Sequence, residues 1–364
     1  MPTAALLVGT ADLALRINRY LGAAFAHPTD FMARPMTSPD PSPRWPLRLI
    51  PSAQLVPEAW QDLRAGPIWA FNPSLLRHGA GFLLAYRLVG ADGRRRIGLC
   101  RLSGSFTVVP GSAVAYSDHI AFPPGSPVAE QARIWFADPR LFRLGDGVFI
   151  YWNSGWHEPE NVQFIQEIDA GSLRPIGPPR ELVLDGPRRA IEKNWMLFES
   201  GGACHAVYSI NPHRILSFSL QGSEAIVCRP VAATAWADES YQPSWGELRG
   251  GTPPQRIDGC FHSFCHSVHG PPGAYVYSAA AYSFSAEFPF APVQVPARPL
   301  AIAIPSQMPG GQERLNKVVR EVVYPAGAVF DQGRWVVSLG INDQHCALGS
   351  ISLADLAAHQ RVLR

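Results

Sequence analysis

The chain has 364 residues, a formal net charge of +2, 47% hydrophobic residues and only 16% charged ones. That balance excludes a disordered chain, which pairs low hydrophobicity with high charge, and a dedicated nucleic-acid binder, which carries a basic surplus. With 35 Pro, 32 Gly and ten Trp, the chain turns often and suits a large β architecture with surfaces that favour carbohydrate.

In chain order, residues 1–27 read as partly helical, with Leu13, Ile17, Tyr20 and Leu21 at three- to four-residue spacing. A Pro/Ser-rich connector follows at residues 36–46. Residues 1–65 are therefore expected to be an N-terminal helical extension, ahead of a β-rich domain over 66–364. In that domain Phe82–Tyr86, Val148–Trp152 and Trp335–Leu339 have strand length and composition. Near the end, Ser352-Leu-Ala-Asp355 resembles a capping box with Asp in place of Glu or Gln, and starts a C-terminal helix that an Ala-rich run carries toward the terminus. The apolar run Ala4–Val8 is too short for a signal peptide and lacks a preceding basic stretch. No run approaches the roughly 18 apolar residues of a membrane span, so a soluble, cytoplasmic protein is expected. The six cysteines show no CxxC pair, which predicts free thiols, no metal and no cofactor.

The informative feature is an internal repeat. Residues 72–86 read NPSLLRHGAGFLLAY and residues 138–152 read DPRLFRLGDGVFIYW, with Pro, Leu, Arg, Gly and Gly at identical offsets. Weaker copies start at Asn194 and Tyr324, and one more lies within residues 261–284. Strand, Gly hairpin, strand, repeated about five times, predicts sheets that close radially as a five-bladed β-propeller. At the offset before each hairpin stand Asn72, Asp138, Lys193 or Asn194, His262 and Tyr324. Ring closure would bring these polar groups to one axial pocket, the default place for a site, where Asn194 and Tyr324 are expected to touch the sugar substrate.

The stretches Asn72-Pro73-Ser74, Tyr86-Arg87, Asp138-Pro139-Arg140, Glu192-Lys193-Asn194-Trp195, His262-Ser263 and Gly340-Ile341-Asn342-Asp343 resemble the motifs of glycoside hydrolase family 130. That family comprises five-bladed propeller enzymes, the β-mannoside phosphorylases, with related β-1,2-mannosyltransferase/phosphorylases. The resemblance covers most of the chain after residue 65. It implies that Asp138 is the general acid, that Asn72 and Asp343 hold the sugar, and that Arg87, Arg140, Lys193 and His262 hold phosphate. The basic set favours a phosphorylase or transferase over a hydrolase, which would carry carboxylates to activate water.

The chemistry is consistent with this. An inverting enzyme needs one carboxylic acid to protonate the leaving oxygen and a nucleophile on the opposite face. If phosphate is the nucleophile, Arg and Lys position it and no second carboxylate is needed. Trp135, Phe136 and Phe142 flank Asp138 in sequence and would raise its pKa, whereas Arg140 would lower it if its guanidinium turned toward Asp138. The segment Trp152-Asn153-Ser154-Gly155-Trp156 offers indole faces for an acceptor sugar. Cys260, His262, Cys265, His266 and His269 invite a metal reading, but their spacing fits no standard site. Arg94-Arg95-Arg96 reads as a solvated hairpin tip.

The function expected is an inverting β-mannoside phosphorylase, or a mannosyl-transferring enzyme that uses a sugar 1-phosphate. Its partners would be a glycoside or oligosaccharide and phosphate or a phosphorylated donor. Two rivals are a nucleotide-sugar glycosyltransferase of cell-envelope glycan assembly and a non-catalytic carbohydrate-binding propeller.

Overall fold

Short apolar runs broken by Gly and Pro become strands joined by tight hairpins. The computed structural model describes residues 45–126, 128–155, 161–189, 191–222, 225–304 and 313–363. The helical reading of residues 1–27 and the sugar contact expected of Trp156 lie outside them.

Strand β1 (Trp45–Ile50) precedes a meander of β2 (Trp69–His78), β3 (Gly81–Val89) and β4 (Arg95–Leu102). A second meander holds β5 (Ala137–Leu144), β6 (Gly147–Asn153), β7 (Gln163–Asp169) and β8 (Arg174–Leu184). A third holds β9 (Met196–Ser200), β10 (Ala203–Ser209), β11 (His213–Phe218) and β12 (Ile226–Thr234). In the next, β13 (Leu248–Arg249) and β14 (Gln255–Ile257) both pair with β15 (Cys260–His269), which is followed by β16 (Tyr275–Ser285) and β17 (Pro292–Pro296). After β18 (Ile302–Ala303), the last meander holds β19 (Val319–Asp331), β20 (Arg334–Ile341) and β21 (His345–Ser352). The second and third meanders join through the parallel pair β8–β12, and the last two through β16–β19. Strand β1 pairs with β21, so the last meander is completed by the chain's own beginning. The meanders are antiparallel within themselves, and the curled sheets are propeller-like; the pairing of β1 draws Trp45–Ile50 out of the extension expected before residue 66.

The repeat is a real structural unit. Gly79 and Gly145 turn the β2–β3 and β5–β6 hairpins at φ 56°, a conformation that favours glycine. Each inner strand also bulges at the same place: pairing jumps from Phe71 to Ser74 in β2 and from Ala137 to Arg140 in β5. Apolar side chains then fill the space between neighbouring sheets. Leu83, Ala85, Ile97 and Leu99 of the first meander pack with Phe136, Leu141, Ile150 and Trp152 of the second.

The fourth repeat lies elsewhere than expected. Its inner strand is the broken pair β13 and β14, so the offset that holds Asn72 and Asp138 falls at Gly250, while His262 sits on the second strand. The C-terminal helix is also shorter than expected. Ser352 Oγ accepts from the Asp355 amide at 3.1 Å and donates to its carboxylate at 2.7 Å, as the cap requires. The helix spans only Leu353–Ala357, because the chain then returns as β22 (Gln360–Val362) to pair with β17. Among the described residues, no helix is long and apolar enough to cross a membrane.

Candidate functional site

The bulges set the site. Asn72, Asp138 and Asn194 hold φ of 51°, 49° and 65°, in the left-handed region that few non-glycine residues enter. Asn and Asp tolerate it best, which is why the repeat places these two types at this offset. Backbone held this way is common at functional sites. Here it brings residues from separate sheets together.

Asp138 Oδ1 accepts from Asn72 Nδ2 at 2.9 Å and from Arg87 at 2.9 Å. Burial pushes the Asp138 carboxyl up, but Arg87, Arg140, Lys193 and the Asn72 amide outweigh it and hold the group at about 2. The expectation that the flanking aromatics raise this pKa is thereby corrected, since Arg87, Arg140 and Lys193 together outweigh burial. Asp343 moves the other way. Burial raises its carboxyl, against an Asn316 hydrogen bond of 2.9 Å and the nearby charges of Arg87 and Arg95. Burial first, and then Arg249, lower Lys193 to about 8, with Asp138 and Asp343 opposing. Arg95 and Arg249 were not among the expected site residues, yet both act on this charge cluster.

Arg140 is placed differently from its expected role as a phosphate ligand. It is 1% exposed. Its guanidinium donates to the Gly251 carbonyl, to Tyr324 Oη at 2.7 Å and to Asn194 Oδ1 at 3.3 Å, while Tyr324 Oη donates to Asn194 Oδ1 at 2.7 Å. One side chain of the second meander thus grips the third, fourth and fifth. Asn194 and Tyr324, expected to touch sugar, turn their polar ends to it. Arg140→Met would leave several buried acceptors unpaired at about 1–3 kcal/mol each. It is expected to destabilise the protein by about 3 kcal/mol in urea denaturation, and an unchanged midpoint would contradict this role.

His262 does not reach the cluster. It is half-buried beside Asp258, with its ring 5.9 Å from that of Trp335. The histidine beside the cluster is His266, buried and 4.7 Å ring to ring from Tyr324, with burial and the surrounding cations keeping it neutral. Trp152 is no sugar platform, because it is fully buried and stacks on Phe164 at 4.3 Å. The Arg94–Arg96 run is not solvated either. Arg96 is buried and paired to Asp92 at 2.5 Å, and Arg95 lies 3.6 Å above the Trp135 ring. All six cysteines are free. Among the described residues, no group of three or more His, Cys, Asp or Glu is placed to hold a metal ion.

Glycine closes the inner wall. A Cβ on Gly340 would lie 2.0 Å from Asn72 Oδ1 and 2.8 Å from its backbone nitrogen. Gly340→Ala is therefore expected to push Asn72 off Asp138 and to cost about 1–3 kcal/mol. Thermal melting would check the cost, and an alanine variant as stable as the parent would contradict this packing. Several buried polar atoms around the pocket have no hydrogen-bond partner among the described residues: Asn72 Oδ1, Arg87 Nε, Arg95 Nε and His266 Nδ1. Buried polar groups in folded proteins are normally satisfied, so these atoms mark the pocket as a place for polar contacts.

No protein-family model matches the chain, and no curated protein matches it in sequence. Solved structures do match in fold. A β-1,2-mannobiose phosphorylase from Listeria innocua, in complex with β-1,2-mannobiose, superposes with a TM-score of 0.57 at 13% identity, covering 86% of this chain and 98% of that one. A mannose phosphorylase from Leishmania mexicana, in complex with a phosphate ion, superposes at 0.52 with 11% identity and 98% coverage of both chains. A glycosyl hydrolase from Bacteroides ovatus superposes at 0.54 with 13% identity, covering 79% of this chain and 85% of that one. Another match, at 0.56 with 13% identity and covering 80% of this chain and 86% of that one, is described with the family 130 mannoside phosphorylases and with hydrolases that target β-1,2 mannosidic linkages. The chain has the glycoside hydrolase family 130-like fold.

Proposed function

We propose that the chain is a five-bladed propeller enzyme that exchanges phosphate for the glycosidic oxygen of a β-mannoside, with inversion. The observation that carries this reading is the convergence of Arg87, from β3, and Lys193, from the segment before β9, on the Asp138 carboxylate, which Arg87 holds at 2.9 Å. Asn72 and Asp343 are left to orient the sugar. Arg140 supports the pocket from behind.

In the forward reaction Asp138 gives its proton to the glycosidic oxygen while that oxygen leaves C1 with the bonding electron pair. A phosphate oxygen bonds C1 from the opposite face, so a β-glycoside yields an α-sugar 1-phosphate and an alcohol. Asp138 must first acquire that proton. Arg87, Arg140 and Lys193 keep it ionised. Phosphate bound to the same cations offsets their charge and draws Arg87 away from Asp138. Burial then dominates, and the carboxyl takes up a proton. The nucleophile itself thus arms the acid.

The test is a screen in the synthetic direction. The protein is offered mannose 1-phosphate and nucleotide-linked mannose with assorted mannoside acceptors, reading released phosphate and released nucleotide separately. Release of phosphate from the sugar 1-phosphate is expected. Release of nucleotide alone would favour a nucleotide-sugar transferase, and sugar binding with no release would favour a non-catalytic propeller.

A further inference from the structure

The phosphate site as drawn rests on Arg87 and Lys193, yet a further cation sits beside them with no part in the family-like motifs. Arg95 opens β4 and pairs with Val89, two residues along β3 from Arg87. Side chains alternate across a strand, so Arg87 and Arg95 share one face as diagonal neighbours. That face looks onto the second meander, where the Phe136 amide donates to the Arg95 carbonyl at 3.3 Å.

The Arg95 guanidinium is held in a layered stack. It lies 3.6 Å above the centre of the Trp135 ring. On the indole's edge runs the backbone of Gly155, where a Cβ would come within 1.8 Å of Trp135 Cδ1. Any side chain at 155 would therefore displace the indole on which Arg95 stacks. Arg95 feels Arg87, Asp343 and Asp138, the charges of the site, and burial with the Arg87 charge lowers it to about 9. Its buried Nε has no hydrogen-bond partner among the described residues. A buried guanidinium stacked on a ring, under the repulsion of a neighbouring guanidinium and with a donor unmet, is poorly served by the protein alone. An anion at that place would satisfy the donor and relieve the repulsion.

Resting on the phosphorylase reading, we propose that Arg95 is a third phosphate ligand of this site, positioned by Trp135 and Gly155, and that it selects a doubly charged phosphoryl group over singly charged anions. Its partners in the site are Arg87 and Lys193. The stack fixes its direction, so the ligand need not order a long free side chain on binding.

The experiment measures binding of inorganic phosphate and of nitrate by calorimetry, and melting temperature with and without phosphate, for the parent, Arg95→Met, Arg95→Lys and Gly155→Ala. Arg95→Met is expected to weaken phosphate binding by about ten- to a hundredfold, to leave nitrate binding nearly unchanged, and to keep or raise the melting temperature without phosphate, because one of two crowded cations is gone. Arg95→Lys should restore part of the affinity. Gly155→Ala should weaken phosphate binding without changing any charge. A purely structural Arg95, bracing the indole, would instead lower the phosphate-free melting temperature of Arg95→Met and leave phosphate affinity at the parent value, which would overturn the proposal. Equal losses for phosphate and nitrate would overturn the selectivity. If the parent itself binds no phosphate, the phosphorylase reading fails first and Arg95 falls with it.

Discussion

Asp138→Asn is expected to lower turnover by about 10²- to 10⁴-fold, the usual cost of losing a general acid. The substitution keeps the shape of the side chain and a residue type that accepts φ 49°, so the fold should persist. The same variant should bind phosphate more tightly than the parent, because the carboxylate that now holds Arg87 at 2.9 Å is gone. Loss of turnover with a gain in phosphate affinity would be hard to explain by misfolding. Activity within a few-fold of the parent would remove Asp138 from the chemistry. Tight coupling of the two groups also predicts proton uptake when an anion binds. Sulfate, which does not itself titrate near neutral pH, should bind with uptake of up to one proton per site in calorimetry across buffers of different ionisation enthalpy, and Asp138→Asn should abolish that uptake.

Lys193→Ala and Arg87→Ala are expected to weaken phosphate binding by at least tenfold and to shrink the rise in melting temperature that phosphate produces by mass action. Affinity for a neutral acceptor should change little. Lys193 carries a pH signature as well. It is held near 8, charged below that value and neutral above it, so phosphate affinity should fall as the pH rises through about 8. Lys193→Arg keeps its charge over this range and should flatten the fall. Variants that alter only acceptor affinity would make these cations structural and return the pocket to plain sugar binding.

The first two repeats were readable because Pro, Arg and Gly at fixed offsets are what a bulged inner strand and a tight hairpin require, and Asn72 and Asp138 follow from them. The fourth was not. Its inner strand is two fragments around Gly250, Gly251 and Pro253, with no apolar run, so the strongly apolar β15 looks like the start of the unit and carries His262 into the wrong role. The Gly-Gly pair is there because backbones meet: a Cβ on Gly250 would lie 2.0 Å from the Asn194 carbonyl oxygen and one on Gly251 2.3 Å from that of Phe264. Arg95 was missed for a related reason. A run of three Arg beside Asp-Gly resembles a solvated tip, and only the indole of Trp135, just before β5, makes it part of the site. Local sequence also misjudged Asp138. Its apolar neighbours and Arg140 are visible in the chain, whereas Arg87 from β3 and Lys193 from the segment before β9 reach it only in the fold. Arg140 shows the same limit, for a motif arginine can serve the pocket by holding its wall rather than its ligand.

The central claim is that phosphate is the nucleophile. The direct measurement is phosphorus NMR of the protein with a β-1,2-linked mannobiose, with and without inorganic phosphate. An α-linked mannose 1-phosphate signal that grows only when both substrates are present, and that disappears with Asp138→Asn, is the predicted result. Cleavage to free mannose at the same rate without phosphate, or a β-linked sugar phosphate, would contradict it.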